Sequence, residues 1–221
     1  MRFKDFKQID ESVAHITDLK KIHPHVKKMG TNPLLFRGMR LARGKNFSMN
    51  LVKNDRGAGR YMGKILDSQD GRMDAVLQGL GIESPIFTST DSHKVELFGE
   101  VFVVIPKGKY TSHYSNMVQD LAFITKLSQD AETIVKSYKK GIIDNQGEII
   151  IECKEYFIVA VHHMMRRAPL WIQKEFKAVV DRKMTYQDQQ KKVYGTIKTY
   201  RDLDKFFLLY NKYIQWREKN L

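Results

Sequence analysis

Residues 148–161, EIIIECKEYFIVAV, constrain the fold of this chain more than any other segment. The run is the most β-like in the sequence. It is apolar on both faces at its start, which predicts a central strand covered from two sides. Elsewhere the apolar positions follow the period of a helix. Ile9, Val13, Ile16 and Leu19 predict a mostly helical segment over 9–29. Met62, Ile65, Leu66, Met73, Val76 and Leu77 predict an amphipathic helix broken near Gly71. Met117, Leu121, Ile124, Leu127, Ile134 and Tyr138 predict another, and helices are expected over 171–182 and 200–218. Short strands are expected at 34–38, at 85–90 and at 100–105, the last ended by Pro106-Lys107-Gly108, while 141–147 reads as a turn. Helix, strand, helix, several strands, helices is not a regular βαβ alternation, so the fold class is α+β.

A chain of 221 residues with 42% apolar and 29% charged composition buries a core of its own and is neither disordered nor collagen-like. It has no repeat and no linker. A single cysteine, Cys153, excludes a disulfide scaffold and a multi-thiolate metal site. The charged N-terminus lacks the apolar stretch of a signal peptide, and no run approaches the roughly 20 apolar residues of a membrane span. The expectation is a cytoplasmic protein without a membrane partner. The net charge of +13 is uneven: residues 1–60 carry +9, residues 61–165 carry −4 and residues 166–221 carry +8. Basic flanks favour polyanionic partners, although a solvated lysine-rich surface accounts for them equally well.

Several motifs fail. Gly57-Ala58-Gly59 would need a third glycine where Met62 stands, so it is not a dinucleotide loop, and no phosphate-binding P-loop is present. His162 and His163, read as strand residues, would point to opposite faces, so no metal site is expected. Cys153 reads as a small buried hydrophobe.

One constellation survives. Arg37 interrupts an apolar strand, Ser89 ends a second with Thr88 and Thr90 beside it, and Glu148 opens the third, two residues after Gln146. Buried charge needs a partner. Arg37 and Glu148 therefore read either as a structural ion pair or as parts of a site.

The ordered set Phe36-Arg37-Gly38, Phe87-Thr88-Ser89-Thr90 and Gln146-Gly147-Glu148 resembles the R-S-E class of mono-ADP-ribosyltransferases, the cholera-toxin-like branch, and is most like its bacteriophage members. The resemblance covers roughly residues 33–161. It implies two packed, mainly antiparallel sheets around an NAD cleft, flanked by N- and C-terminal helices. Residues 1–164 would form the catalytic domain, with a helical insert at about 115–140, and residues 165–221 a basic helical extension packed on it. The chain departs from the family in having Ser89-Thr90-Asp91 in place of S-T-S, and in the insert before Glu148. Glu100, Glu152 and Glu155 are rival carboxylates.

The resemblance further implies transfer of ADP-ribose from NAD to a host macromolecule, a protein side chain or a nucleic-acid base, with nicotinamide released and no metal required. Glu148 would stabilise an oxocarbenium-like transition state. Arg37 would hold the NAD diphosphate or ribose with its planar fork. Ser89 would orient the nicotinamide ribose, Gly38 and Thr90 would line the NAD site, Phe98 would stack on nicotinamide or pack in the core, and Gln146 would meet the acceptor. Arg56 and Arg60 are either phosphate contacts or surface charge. Two rivals remain: an NAD glycohydrolase on the same fold, and a non-catalytic nucleic-acid-binding protein resting on the basic charge and on the aromatic–basic helix containing Lys205, Phe206, Phe207, Tyr210, Lys212, Tyr213, Trp216 and Arg217, although the spacing of Phe206, Phe207, Tyr210 and Ile214 is also that of a core-facing stripe.

Overall fold

A computed structural model describes residues 13–15, 19–40, 49–54, 72–125, 130–144, 147–181 and 183–220. Among the described residues, nine strands alternate irregularly with helices, an α+β fold. The strands are β1 (Val13–His15), β2 (Phe36–Met39), β3 (Met49–Lys53), β4 (Pro85–Ser89), β5 (Glu100–Lys107), β6 (Thr111–Ser115), β7 (Tyr138–Lys140), β8 (Glu148–Glu152) and β9 (Glu155–Val159). The described helices are α1 (Leu19–Met29), α2 (Arg72–Gly79), α3 (Ser92–Glu96), α4 (Leu121–Ile124), α5 (Ala131–Ser137), α6 (Val161–Arg167), α7 (Leu170–Glu175), α8 (Tyr186–Thr196) and α9 (Tyr200–Asn220). None of them is long and apolar enough to cross a membrane.

The strands form one sheet in the order β1-β3-β9-β5-β2-β4-β8-β6-β7, with every pairing antiparallel. Where the resemblance implied two sheets, the hydrogen bonding is continuous, but its continuity is thin. β2 joins β4 at the single pair Phe36–Ser89, whereas it follows β5 over four residues. The sheet therefore consists of a five-strand block and a four-strand block meeting at one bridge.

The expected long strand from Glu148 is broken. β8 pairs with β4 and β6, whereas β9 pairs with β3 and β5, so Cys153 and Lys154 carry the chain from one block to the other. Asn54 fixes this corner. Its amide Nδ2 donates to the carbonyls of Ser84 and Cys153, at 3.0 and 3.2 Å, and its backbone N–H donates to that of Lys154 at 2.8 Å. Both halves of the run are central in their block, which is why the sequence looks uniformly apolar.

Further expectations change, among them the helix expected over 171–182, which ends at Glu175. Residues 9–29 are not one helix: Val13–His15 form an edge strand and the helix starts at Leu19. β5 runs past Pro106, because its pairing with β2 stops at Val103 and an imide nitrogen interrupts no ladder there. Residues 161–167 are helix, with His162 and His163 on it rather than on a strand. The insert contains α4, α5 and β7.

The main core joins Phe102, Val104, Tyr156 and Ile158 from the sheet to Ile22 and Val26 of α1 and to Leu203, Phe206 and Phe207 of α9. A smaller core under the insert joins Ile150 to Met73, Val76, Leu121 and Ile134. The aromatic stripe of α9 is thus packing surface, and Trp216, 61% exposed, is its large aromatic left in solvent. Thr199 and Asp202 start that helix reciprocally: the Thr199 hydroxyl accepts from the Asp202 N–H at 3.2 Å and the Asp202 carboxylate accepts from the Thr199 N–H at 3.0 Å.

Candidate active site

The register sets Phe36 opposite Ser89 and Ser89 opposite Glu148. The strands bearing Arg37, Ser89 and Glu148 are therefore immediate neighbours, β2-β4-β8, although 111 residues separate the first from the last along the chain.

Ser89 and Glu148 form a directly opposed pair, so their side chains leave the sheet on the same face. The Ser89 hydroxyl donates to the Gly147 carbonyl at 3.1 Å and accepts from the Asp91 N–H at 3.1 Å. It thereby ties the end of β4 to the residue before the carboxylate. Thr88 repeats the tie one residue earlier, donating to the Ile149 carbonyl at 2.8 Å. Asp91 turns the chain into α3 by accepting from the His93 N–H at 2.9 Å.

Glu148 keeps part of its surface accessible while its carboxyl is enclosed. Burial, with Asp120 nearby, pushes that carboxyl up to about 8, against a bond from the Leu121 N–H at 3.2 Å that favours the charged form. The backbone N–H of Glu148 donates to the Gln119 carbonyl at 3.1 Å. The insert thus begins by gripping Glu148 from two sides.

Arg37 lies one residue beyond the bridge, and alternation sends its side chain away from Phe36. Its guanidinium donates to the Tyr156 hydroxyl and lies 5.7 Å from the centre of that ring. Ser89 and Glu148 are brought together on one face of the sheet, whereas the Arg37 side chain leaves on the other, turned towards Tyr156 of β9.

Gly38 has a packing reason to be glycine. A Cβ there would lie 1.9 Å from the Val95 carbonyl oxygen and 3.0 Å from the Phe98 Cβ. Phe98 is therefore adjacent to the Arg37 strand, and at 61% exposure it is not a core residue. The Thr90 hydroxyl is buried without a hydrogen-bond partner. Gln146, Arg56, Arg60 and the Gly57-Ala58-Gly59 segment lie outside the described residues.

The rival carboxylates are engaged elsewhere. Glu152 is at the opposite end of β8 and accepts from the Glu83 N–H at 2.9 Å. Glu155 pairs with Lys107 at 2.6 Å. Glu100 faces the two histidines of α6. Cys153 is buried, and its thiol is pushed up to about 12 by desolvation, so it is no nucleophile. A pocket of about 130 Å³ lies between α1 and α9, lined by Leu19, His23 and Phe207 among others; it contains none of the three site residues.

Sequence reasoning missed the grip of Gln119 and Leu121 on Glu148 and the Tyr156 partner of Arg37. Backbone groups leave no trace in residue type, and Tyr156 reads as one more apolar strand position. Comparison with models of known families, with curated proteins and with solved structures finds no match to this chain.

Proposed function

We propose that this chain is a mono-ADP-ribosyltransferase, with an ADP-ribosyltransferase-like fold, that moves ADP-ribose from NAD to a macromolecular acceptor. The observation that carries the reading is the register Phe36–Ser89–Glu148, which makes neighbours of the three strands bearing a guanidinium, a hydroxyl and a carboxylate. The exposure of Phe98 beside Gly38 adds an aromatic surface at the same place.

The reaction breaks the bond between C1′ of the ribose and the nicotinamide nitrogen, with the electron pair leaving on nicotinamide. The acceptor then forms a new bond to C1′ and loses a proton. Positive charge develops on the ribose as the bond breaks. Ionised Glu148 stabilises that charge most when it is greatest, which accelerates the step rather than merely tightening binding. Burial pushes the carboxyl up to about 8, so the ionised form that the step needs is populated as pH rises towards and past that value. Ser89 holds the carboxylate strand in register. Arg37 leaves the sheet on the face opposite Ser89 and Glu148, against Tyr156, so its diphosphate contact requires the β2–β4 junction, held by one bridge, to open. The acceptor belongs to a host cell if the chain is phage-encoded, and the basic flanks favour an acidic protein or a nucleic acid.

The test is incubation of the purified chain with NAD labelled in the adenylate and with cell lysate, followed by protease or nuclease digestion. Label removed by protease identifies a protein acceptor, and label removed by nuclease a nucleic acid. Free ADP-ribose with no labelled macromolecule identifies a glycohydrolase instead. Absence of both products refutes the proposal.

A further inference from the structure

A second group of chemically capable side chains lies apart from the three strands just described. Glu100 opens β5, and His162 and His163 occupy the second and third positions of α6, which follows β9 directly. His162 is fully enclosed, at 0% exposure. Its Nδ1 lies 2.9 Å from the Tyr194 hydroxyl, which leaves Nε2 turned inward. That Nε2 is buried without a hydrogen-bond partner, and so is Oε1 of Glu100. His163 Nε2 is 3.3 Å from the same oxygen and His162 Nε2 is 3.9 Å from it, yet no hydrogen bond closes either gap.

Lone-pair atoms thus face one another with nothing between them. A buried polar atom left unpaired costs about 1–3 kcal/mol, and two such atoms converging on one point need a cause. One donor atom from each of the three residues lies within 4.8 Å of the others. A cation bound at about 2.0–2.2 Å from each donor would draw them closer by small side-chain movements.

We infer that Glu100, His162 and His163 bind one divalent transition-metal ion, zinc being the best match to two imidazoles and one carboxylate. Magnesium and calcium prefer oxygen donors and fit this set poorly. The Tyr194 hydroxyl on His162 Nδ1 is the outer partner that fixes the ring of a metal-binding histidine. The Tyr186 ring stands edge-on to His162 at 4.9 Å. Three protein ligands leave a position for water or a ligand. The site clips β5 to α6, and it stands or falls independently of ADP-ribosyl transfer.

The test uses the full-length, tag-free chain, stripped with chelator and exchanged into clean buffer. It is titrated with zinc by calorimetry and with cobalt by visible absorption. The expected result is one ion per chain, d–d bands characteristic of a four- or five-coordinate site, and a thermal midpoint raised by zinc. His163→Ala and Glu100→Gln should each weaken zinc binding by about tenfold or more, while His93→Ala, changing a surface histidine, should leave it intact. Failure of the wild-type chain to bind either metal overturns the inference, and needs no variant to fold. Binding that survives both His163→Ala and Glu100→Gln overturns it as well.

Discussion

Replacing Glu148 by Gln should make the protein more stable at alkaline pH while disabling the proposed reaction. The folded state holds the Glu148 carboxyl at about 8, against 4.5 for an ordinary glutamate. Between those values the native chain carries a proton that the unfolded chain has released, so wild-type stability falls as pH rises through the window. A shift of this size is worth on the order of 4–5 kcal/mol at its limit. Because part of the residue surface meets solvent, roughly 2 kcal/mol is the more realistic effect. Glu148→Gln removes the titration, and its amide oxygen can still accept from the Leu121 N–H. Urea unfolding followed by far-UV circular dichroism should give similar stabilities for the two proteins at pH 4.5. At pH 8.5 the variant should be more stable by roughly 2 kcal/mol. A difference that stays constant with pH, or a variant that is less stable at pH 8.5, would refute the reasoning. A carboxyl that costs stability where it sits is the pattern expected of a group kept for chemistry.

Other outcomes follow from single contacts. Gly38→Ala drives a methyl group into the Val95 carbonyl and should cost about 1–3 kcal/mol in thermal or urea unfolding. Cys153, enclosed and with its thiol pushed up to about 12, should not react with a thiol reagent at pH 8 until the chain is unfolded, when one thiol per chain should appear. Thr199→Ala removes the hydroxyl that accepts from the Asp202 N–H at the start of α9 and should lower stability by about 1 kcal/mol.

The parts of the fold that were legible in the sequence are those in which local pattern and tertiary environment agree. β4 and the start of β5 follow from their apolar runs, and α9 from Leu203, Phe206, Phe207, Tyr210 and Ile214 on one face. The corner at Cys153 and Lys154 was hidden because β8 and β9 are both interior strands, so the apolar signal never alternates. The charges of Glu152, Lys154 and Glu155 were the visible trace of the break. The helix containing His162 and His163 was hidden for the same reason: Val159, Ala160 and Val161 extend the apolar run without marking where the period changes. Residues 13–15 carry apolar spacing shared with the helix that follows, and only pairing with β3 makes them a strand. Within the candidate site, residue type pointed to Arg37, Ser89 and Glu148, and the sheet places their strands side by side. The carbonyl of Gln119 and the N–H of Leu121 lay beyond reach, since every residue carries such groups and only the folded insert aims them at Glu148.

The central claim is tested most directly by nicotinamide release from NAD by the purified chain, followed by chromatography. The account predicts release by the wild-type protein, loss of turnover in Glu148→Gln with NAD binding retained, and weakened NAD binding in Arg37→Lys, which keeps the charge but not the fork. Release that continues unchanged in Glu148→Gln, or a wild-type chain that neither binds nor cleaves NAD, would contradict it.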